Sequence, residues 1–231
     1  MPNAYALRHN YIAVRRDGAV SCGGSQRWSA DPAMQKWGCG VIACTDLLLY
    51  LQRSGRPLGL RDPAGEDGTI PHADYDALTR RLKSAYFPLI PGAGLNCFLL
   101  VAGLNRIFRA RGLSLRAAWG VRREHLWPAV RKMLDEDIPV ILCIGHNFPK
   151  IWEKQQVTLY QQAAEDYRSA CCVKSHYVTA TAVDDQWLRI SSWGREYFIR
   201  REEFTRYMTA DSCGFLSNIV YIKETGKGSN P

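Results

Sequence analysis

Apolar positions along the chain follow two regimes. In the first half they recur at helical spacing. From Val41 to Leu51 almost every residue is apolar, so the helix predicted over 39–53 is expected to be buried on all sides, with Gly55 as its C-cap. Further helices are predicted over 72–86, opened by Pro71, over 95–111, stopped by Gly112, and over 122–136, where Pro128 fits if the helix proper begins at Trp127. A short alternating strand is predicted at 113–119. The run 11–14 reads as an edge strand or a packed arm, and Asp31-Pro32 reads as a turn.

In the second half the apolar runs shorten and alternate. Strands are predicted at 138–144, 175–183, 186–192, 195–199 and 215–222, with a hairpin at Asp184-Asp185, a turn at Gly194 and a short helix over 201–208. The polar stretch 145–172 reads as a long connector with a short helix at 158–167, placed to wall or cover a cleft. Helices first and antiparallel strands last argue an α+β fold: a helical half containing a buried helix, packed on a C-terminal antiparallel sheet. No Pro/Gly/Ser-rich linker divides the chain. One domain over 1–224 is expected, followed by a disordered tail at 225–231.

Composition changes this picture little. The chain has 231 residues, 46% of them hydrophobic, enough for a sizeable core. No apolar run reaches the ~18 residues of a membrane span, and the basic N-terminus lacks the core of a signal peptide. A cytoplasmic protein without membrane association is therefore expected. Net charge is +8, but the basic residues are dispersed and no nucleic-acid-binding signature occurs, so no nucleic-acid partner is expected. Eight cysteines are irregularly spaced and five histidines are scattered. Reduced thiols are expected, with no metal and no cofactor.

Two distant segments carry the candidate chemistry. Gly38-Cys39-Gly40 opens the buried helix, where the helix N-terminus favours thiolate. The flanking glycines are read as supplying an unusual backbone conformation and open space beside the sulfur. Cys44, further along the same helix, is expected to be inert. His176 begins a strand after the long connector, and the return strand brings Ser191 beside it. A thiol nucleophile, an imidazole base held with it as an ion pair, and a group orienting the base point to acyl transfer on a peptide or protein substrate. His146 is the most plausible alternative base.

These segments resemble the papain-like cysteine peptidases, and within them the bacterial branch that includes the C39-type peptidases. The resemblance rests on Gly38-Cys39-Gly40, His176 and the block Ser191-Ser192-Trp193-Gly194 about fifteen residues later. It implies a papain-like fold and thioester-mediated amide hydrolysis by Cys39 and His176. Ser191 would stand where the family has Asn or Asp, and Trp193 would shield the histidine contact. The family's oxyanion glutamine lies about six residues before the cysteine, where this chain has Ala33. Gln26 and Gln35 are the candidates for that role, with Gln26 favoured. An acyltransferase with the same site, or a catalytically silent papain-like module that binds a peptide or protein, are the alternatives.

Overall fold

The computed structural model describes residues 4–60, 62–164 and 166–225. The helices are α1 (Pro32–Trp37), α2 (Cys39–Arg53), α3 (His72–Tyr86), α4 (Cys97–Ala110), α5 (Leu126–Asp135) and α6 (Arg201–Arg206). Short strands β1 (Tyr5–Ala6), β2 (Val14–Arg16), β3 (Ala19–Val20) and β4 (Ile70–Pro71) lie in the N-terminal part. The longer ones are β5 (Leu115–Trp119), β6 (Val140–Ile144), β7 (Val157–Ala163), β8 (Asp166–Val173), β9 (His176–Val183), β10 (Trp187–Ser192), β11 (Arg195–Arg200) and β12 (Asn218–Glu224).

Every residue of α2 from Gly40 to Leu51 is buried, as an all-round apolar helix requires. It packs on β9 and β6 and against α3 and α4. The main sheet is antiparallel throughout, in the order β5-β12-β6-β9-β10-β11-β7-β8, with β1 pairing the far end of β9. β6 is buried along its whole length, which explains its unbroken apolar run. A second small sheet joins β3, β2 and β4. One hydrophobic cluster runs from Ile12 to Ile222. The α+β architecture, with a buried helix laid on an antiparallel sheet, is the one expected. Among the described residues no helix is long and apolar enough to cross a membrane. Of the tail expected to be disordered, 226–231 lies outside the described residues.

Several local expectations are corrected. The segment expected to hold a helix at 158–167 is instead the β7–β8 hairpin. Its sequence Val-Thr-Leu-Tyr buries Val157 and Leu159 and leaves Thr158 and Tyr160 partly exposed, a period of two that β-branched and aromatic residues favour. Tyr160 and Tyr167 both pack on Trp187. Asp31-Pro32 is not a plain turn: the Asp31 carboxylate caps α1 by accepting from the Ala33 amide, and Pro32 occupies the first helical position. α5 starts at Leu126 after a 3-10 turn at Arg123–His125, so Pro128 falls in the first turn, where its missing N–H has no intrahelical acceptor to lose.

The central place of α2 gives a direct test. Leu48 is fully buried. Leu48→Ala is expected to destabilise the fold by about 3 kcal/mol through lost burial and a residual cavity. For a chain of this size that lowers the thermal midpoint by about 6–12 °C, read by calorimetry.

Candidate active site

Cys39 is the first residue of α2, and Gly38 is both the C-cap of α1 and the N-cap of α2. Gly38 has an ordinary φ of −83°. Its need for glycine is steric, because a Cβ there would lie 2.4 Å from the Met34 carbonyl oxygen. Gly40 does not open space beside the sulfur either. It is buried, and a Cβ would meet Tyr177 at 3.1 Å and Leu95 at 3.2 Å. Both glycines therefore let neighbouring segments approach the helix end closely, and neither adopts the unusual backbone expected from the sequence.

His176 is the first residue of β9, and Ile144 on β6 is its strand partner. His176 and Cys39 line the same cleft of about 490 Å³ and the small recess beneath it. The other histidines engage elsewhere: His9 with Asp137, and His72 with the Trp28 carbonyl. His146 follows β6, is exposed and does not line the cleft.

The orienting contact differs from expectation. Ser192 Oγ, not Ser191, lies 2.8 Å from His176 Nε2. Ser191 Oγ instead donates to the Cys22 carbonyl at 2.8 Å. The cause is a β-bulge. The β9–β10 ladder pairs Arg189 with Ala182 but Ile190 with Ala180, leaving Thr181 as an extra residue in β9. A one-residue shift exchanges the two faces of a strand. Without the bulge, Ser191 would share the face of His176; with it, Ser192 does. Turn signals and apolar alternation in the sequence contain no mark of this insertion.

Beyond Ser192 the chain turns through Trp193 and Gly194, with φ of 51° and 75°. Both residues are left-handed, as a tight hairpin of the right twist requires. A bulky residue is strained there. The Trp193 ring is held on both faces: it stacks on His176 at 4.6 Å between centroids, and the Arg27 guanidinium lies 4.4 Å from its centroid. Gly194 donates to the Gly24 carbonyl and accepts from the Cys22 amide, so the hairpin tip is fastened to the 22–28 loop.

That loop also carries Gln26. Gln26 is buried and its Nε2 donates to the Gln35 carbonyl at 3.0 Å. One amide hydrogen remains for another acceptor. Gln35 is exposed at the cleft and donates to the Ser29 carbonyl. Gln26 lines both the cleft and the inner recess with Cys39 and His176, whereas Gln35 reaches only the cleft.

The sequence reading missed Asp46, which lies two turns beyond Cys39 on α2. It is buried and accepts from the Tyr75 hydroxyl at 2.6 Å, the Gly24 amide at 3.1 Å and the Tyr11 hydroxyl at 3.3 Å. A polar residue within the apolar run 41–51 was the available signal. Burial raises its carboxyl to about 6, against the hydrogen bonds that favour the ion.

Burial also sets the charge of the central pair. It raises the Cys39 thiol, while backbone hydrogen bonds from Tyr177, Gly40 and Cys39 itself pull the other way. Burial, with Arg27 adding to it, lowers the His176 imidazole to about 4. Both shifts favour the neutral thiol and the neutral imidazole, the direction opposite to the ion pair expected from the helix terminus alone. Cys44 is buried and its thiol is raised by that burial.

Two shifts oppose each other in the stability of the protein. The folded state holds a proton on Asp46 that the unfolded chain has lost, so this group's contribution falls as pH rises from about 4 to 6. The folded state keeps His176 unprotonated where the unfolded chain binds a proton, so its contribution rises over the same window. Stability of Asp46→Asn is thus expected to rise more steeply with pH between about 4 and 6 than that of the wild type, measured by urea unfolding. Asp46→Ala, which strands the Gly24 amide and the Tyr75 hydroxyl, is expected to cost about 2–5 kcal/mol in the same assay.

No family model matches the chain, and no curated protein matches it in sequence. Among solved structures it is similar to one described as a "putative C39-like peptidase" from Bacillus anthracis, with a TM-score of 0.41 and 12% identity over 82% of this chain and 90% of that chain.

Proposed function

We propose that the protein is a cysteine-dependent acyl hydrolase acting on peptide or protein amides, with Cys39 as nucleophile and His176 as base. The observation that carries this reading is the convergence of a half-buried thiol at a helix N-terminus and an oriented, neutral imidazole in one cleft.

In the tautomer that donates Nε2–H to Ser192 Oγ, His176 presents Nδ1 as its basic atom. Because both groups start neutral, the imidazole acts as a general base during attack. The Cys39 Sγ–H proton passes to Nδ1 as sulfur bonds to the substrate carbonyl carbon. The resulting oxyanion is met by the Cys39 backbone N–H and the spare amide hydrogen of Gln26. Collapse breaks the C–N bond, and the imidazolium gives its proton to the leaving amine. Water, deprotonated by His176, then cleaves the thioester and releases the carboxylic acid, and the proton returns to sulfur. An amine entering in place of water would make the protein an acyltransferase through the same thioester. Trp193 holds the imidazole plane and covers one of its faces.

The raised thiol of Cys39 also fits the alternative of a silent binding module. An activated ester separates the two. Incubation with p-nitrophenyl acetate is expected to give a burst of nitrophenolate and an acetyl adduct on Cys39 by peptide mass spectrometry. His176→Ala should slow acylation by about 10²–10⁴-fold. Absence of a burst, or an adduct formed equally well without His176, would establish the silent module.

Two further outcomes follow from the geometry. Ser192→Ala is expected to lower kcat/KM about tenfold, a loss of about 1.4 kcal/mol of barrier, whereas Ser191→Ala should leave it within about twofold. The acid limb of kcat/KM against pH should fall through about pH 4, where His176 becomes protonated and loses its function as base, and not near an ordinary imidazole value.

A further inference from the structure

Charge at the mouth of the cleft is one-sided, whereas the recess beneath it is lined by the Asp46 carboxylate. The cleft holding Cys39 and His176 is lined by Arg27, Lys36 and Lys174, and among the described residues no aspartate or glutamate lines it. None of the three cations forms an ion pair among the described residues. Arg27 rests on Trp193, and Lys36 lies 4.9 Å from the Trp37 ring centroid. Lys174 donates to the Asn147 side chain at 2.9 Å and to the Glu153 carbonyl at 3.0 Å, while the Glu153 carboxylate is taken by Lys150. Across Trp193 a second cleft of about 530 Å³ shares Arg27 and adds Arg195, which forms no ion pair among the described residues, and Arg16. Its one carboxylate, Asp17, is paired to Arg16 at 3.2 Å. The two clefts meet at Arg27 and Trp193, directly beside His176.

A concave surface of one sign concentrates ligands of the other. Unpaired guanidinium and ammonium groups beside aromatic faces offer directed hydrogen bonds to carboxylates. We infer that the cleft selects an acidic peptide, with Asp or Glu side chains flanking the carbonyl presented to Cys39. This names the substrate class for the acyl-hydrolase reading and rests on it. The dispersed charge of the sequence as a whole does not produce the effect. It arises because the turn after β8, α1 and the 22–28 loop bring Lys174, Lys36 and Arg27 to one opening.

The test reads the field at the sulfur and does not need turnover. Cys39 is alkylated at pH 8 with iodoacetate or with iodoacetamide. The ratio of the two rates is taken by peptide mass spectrometry, relative to free glutathione and to Cys213, which lines neither cleft. The normalised ratio at Cys39 is expected to be about fivefold at ~10 mM salt and to approach unity at ~0.5 M. Lys36→Glu, on an exposed position of α1, and Lys174→Glu should each lower it. A Glu-rich peptide should protect Cys39 from iodoacetamide at about tenfold lower concentration than its Lys counterpart. A ratio equal to that of Cys213, or one indifferent to salt and to Lys36→Glu, would overturn the inference. So would stronger protection by a single-stranded oligonucleotide than by the acidic peptide. If the ratio and the peptide preference hold but no acyl adduct forms on Cys39, the acyl-hydrolase reading fails and the charge selection stands as that of a binding cleft.

Discussion

The Asp46 carboxylate is the tie on which the site depends. It sits inside a helix whose other buried residues are almost all apolar, and its acceptor capacity is spent on Gly24, Tyr75 and Tyr11. The Gly24 contact fastens the 22–28 loop to α2, and Gly24 in turn accepts from Gly194 at the β10–β11 hairpin. The loop carries Gln26 to the recess and Arg27 to the outer face of Trp193, whose inner face holds His176. The thiol's helix and the imidazole's strand are thus joined twice, once by direct packing of α2 on β9 and once through this chain of contacts. A buried acid that lacked those donors would be expelled or left neutral without function. With them it adds a further anchor to a loop whose backbone is also tied to Ile12 and Gly194.

The same burial governs the protonation of the site. A thiolate–imidazolium pair needs solvation that this recess does not supply. Helix α2 contributes backbone hydrogen bonds to the sulfur, yet they do not overcome desolvation. Serine at the orienting position accords with this balance. A carboxylate there would favour the imidazolium before substrate arrives, whereas a hydroxyl accepts the Nε2 proton and fixes the ring without adding charge.

The sequence made the large features legible because they are set by patterns that repeat. The all-apolar run after Cys39, the alternation in β9 and β10, and the Pro and Gly boundaries of α3 and α4 each report burial or a chain stop directly. Cys39 and His176 could be singled out because each sits at an element boundary, where a polar side chain reaches a cleft. What the sequence hid depends on single-residue register or on tertiary company. Thr181 as the bulged residue interchanges Ser191 and Ser192, and nothing about a Thr between two alanines marks it. The β7–β8 hairpin was obscured because one of its faces is polar and Gln161-Gln162 carry no strand signal. The ionisation of Cys39 was misjudged for a similar reason: the helix terminus is visible in sequence, while the burial that outweighs it is a property of the assembled fold.

The charged rim and the neutral centre act on each other through Arg27. Its guanidinium is one of the two causes that hold His176 unprotonated, and it is also the cation shared by both clefts. A carboxylate seated on Arg27 offsets that positive charge at close range, where the low dielectric makes the interaction strong. Under the reading proposed above, an acidic substrate would weaken the Arg27 contribution, which is the smaller of the two, while burial, the larger, would remain.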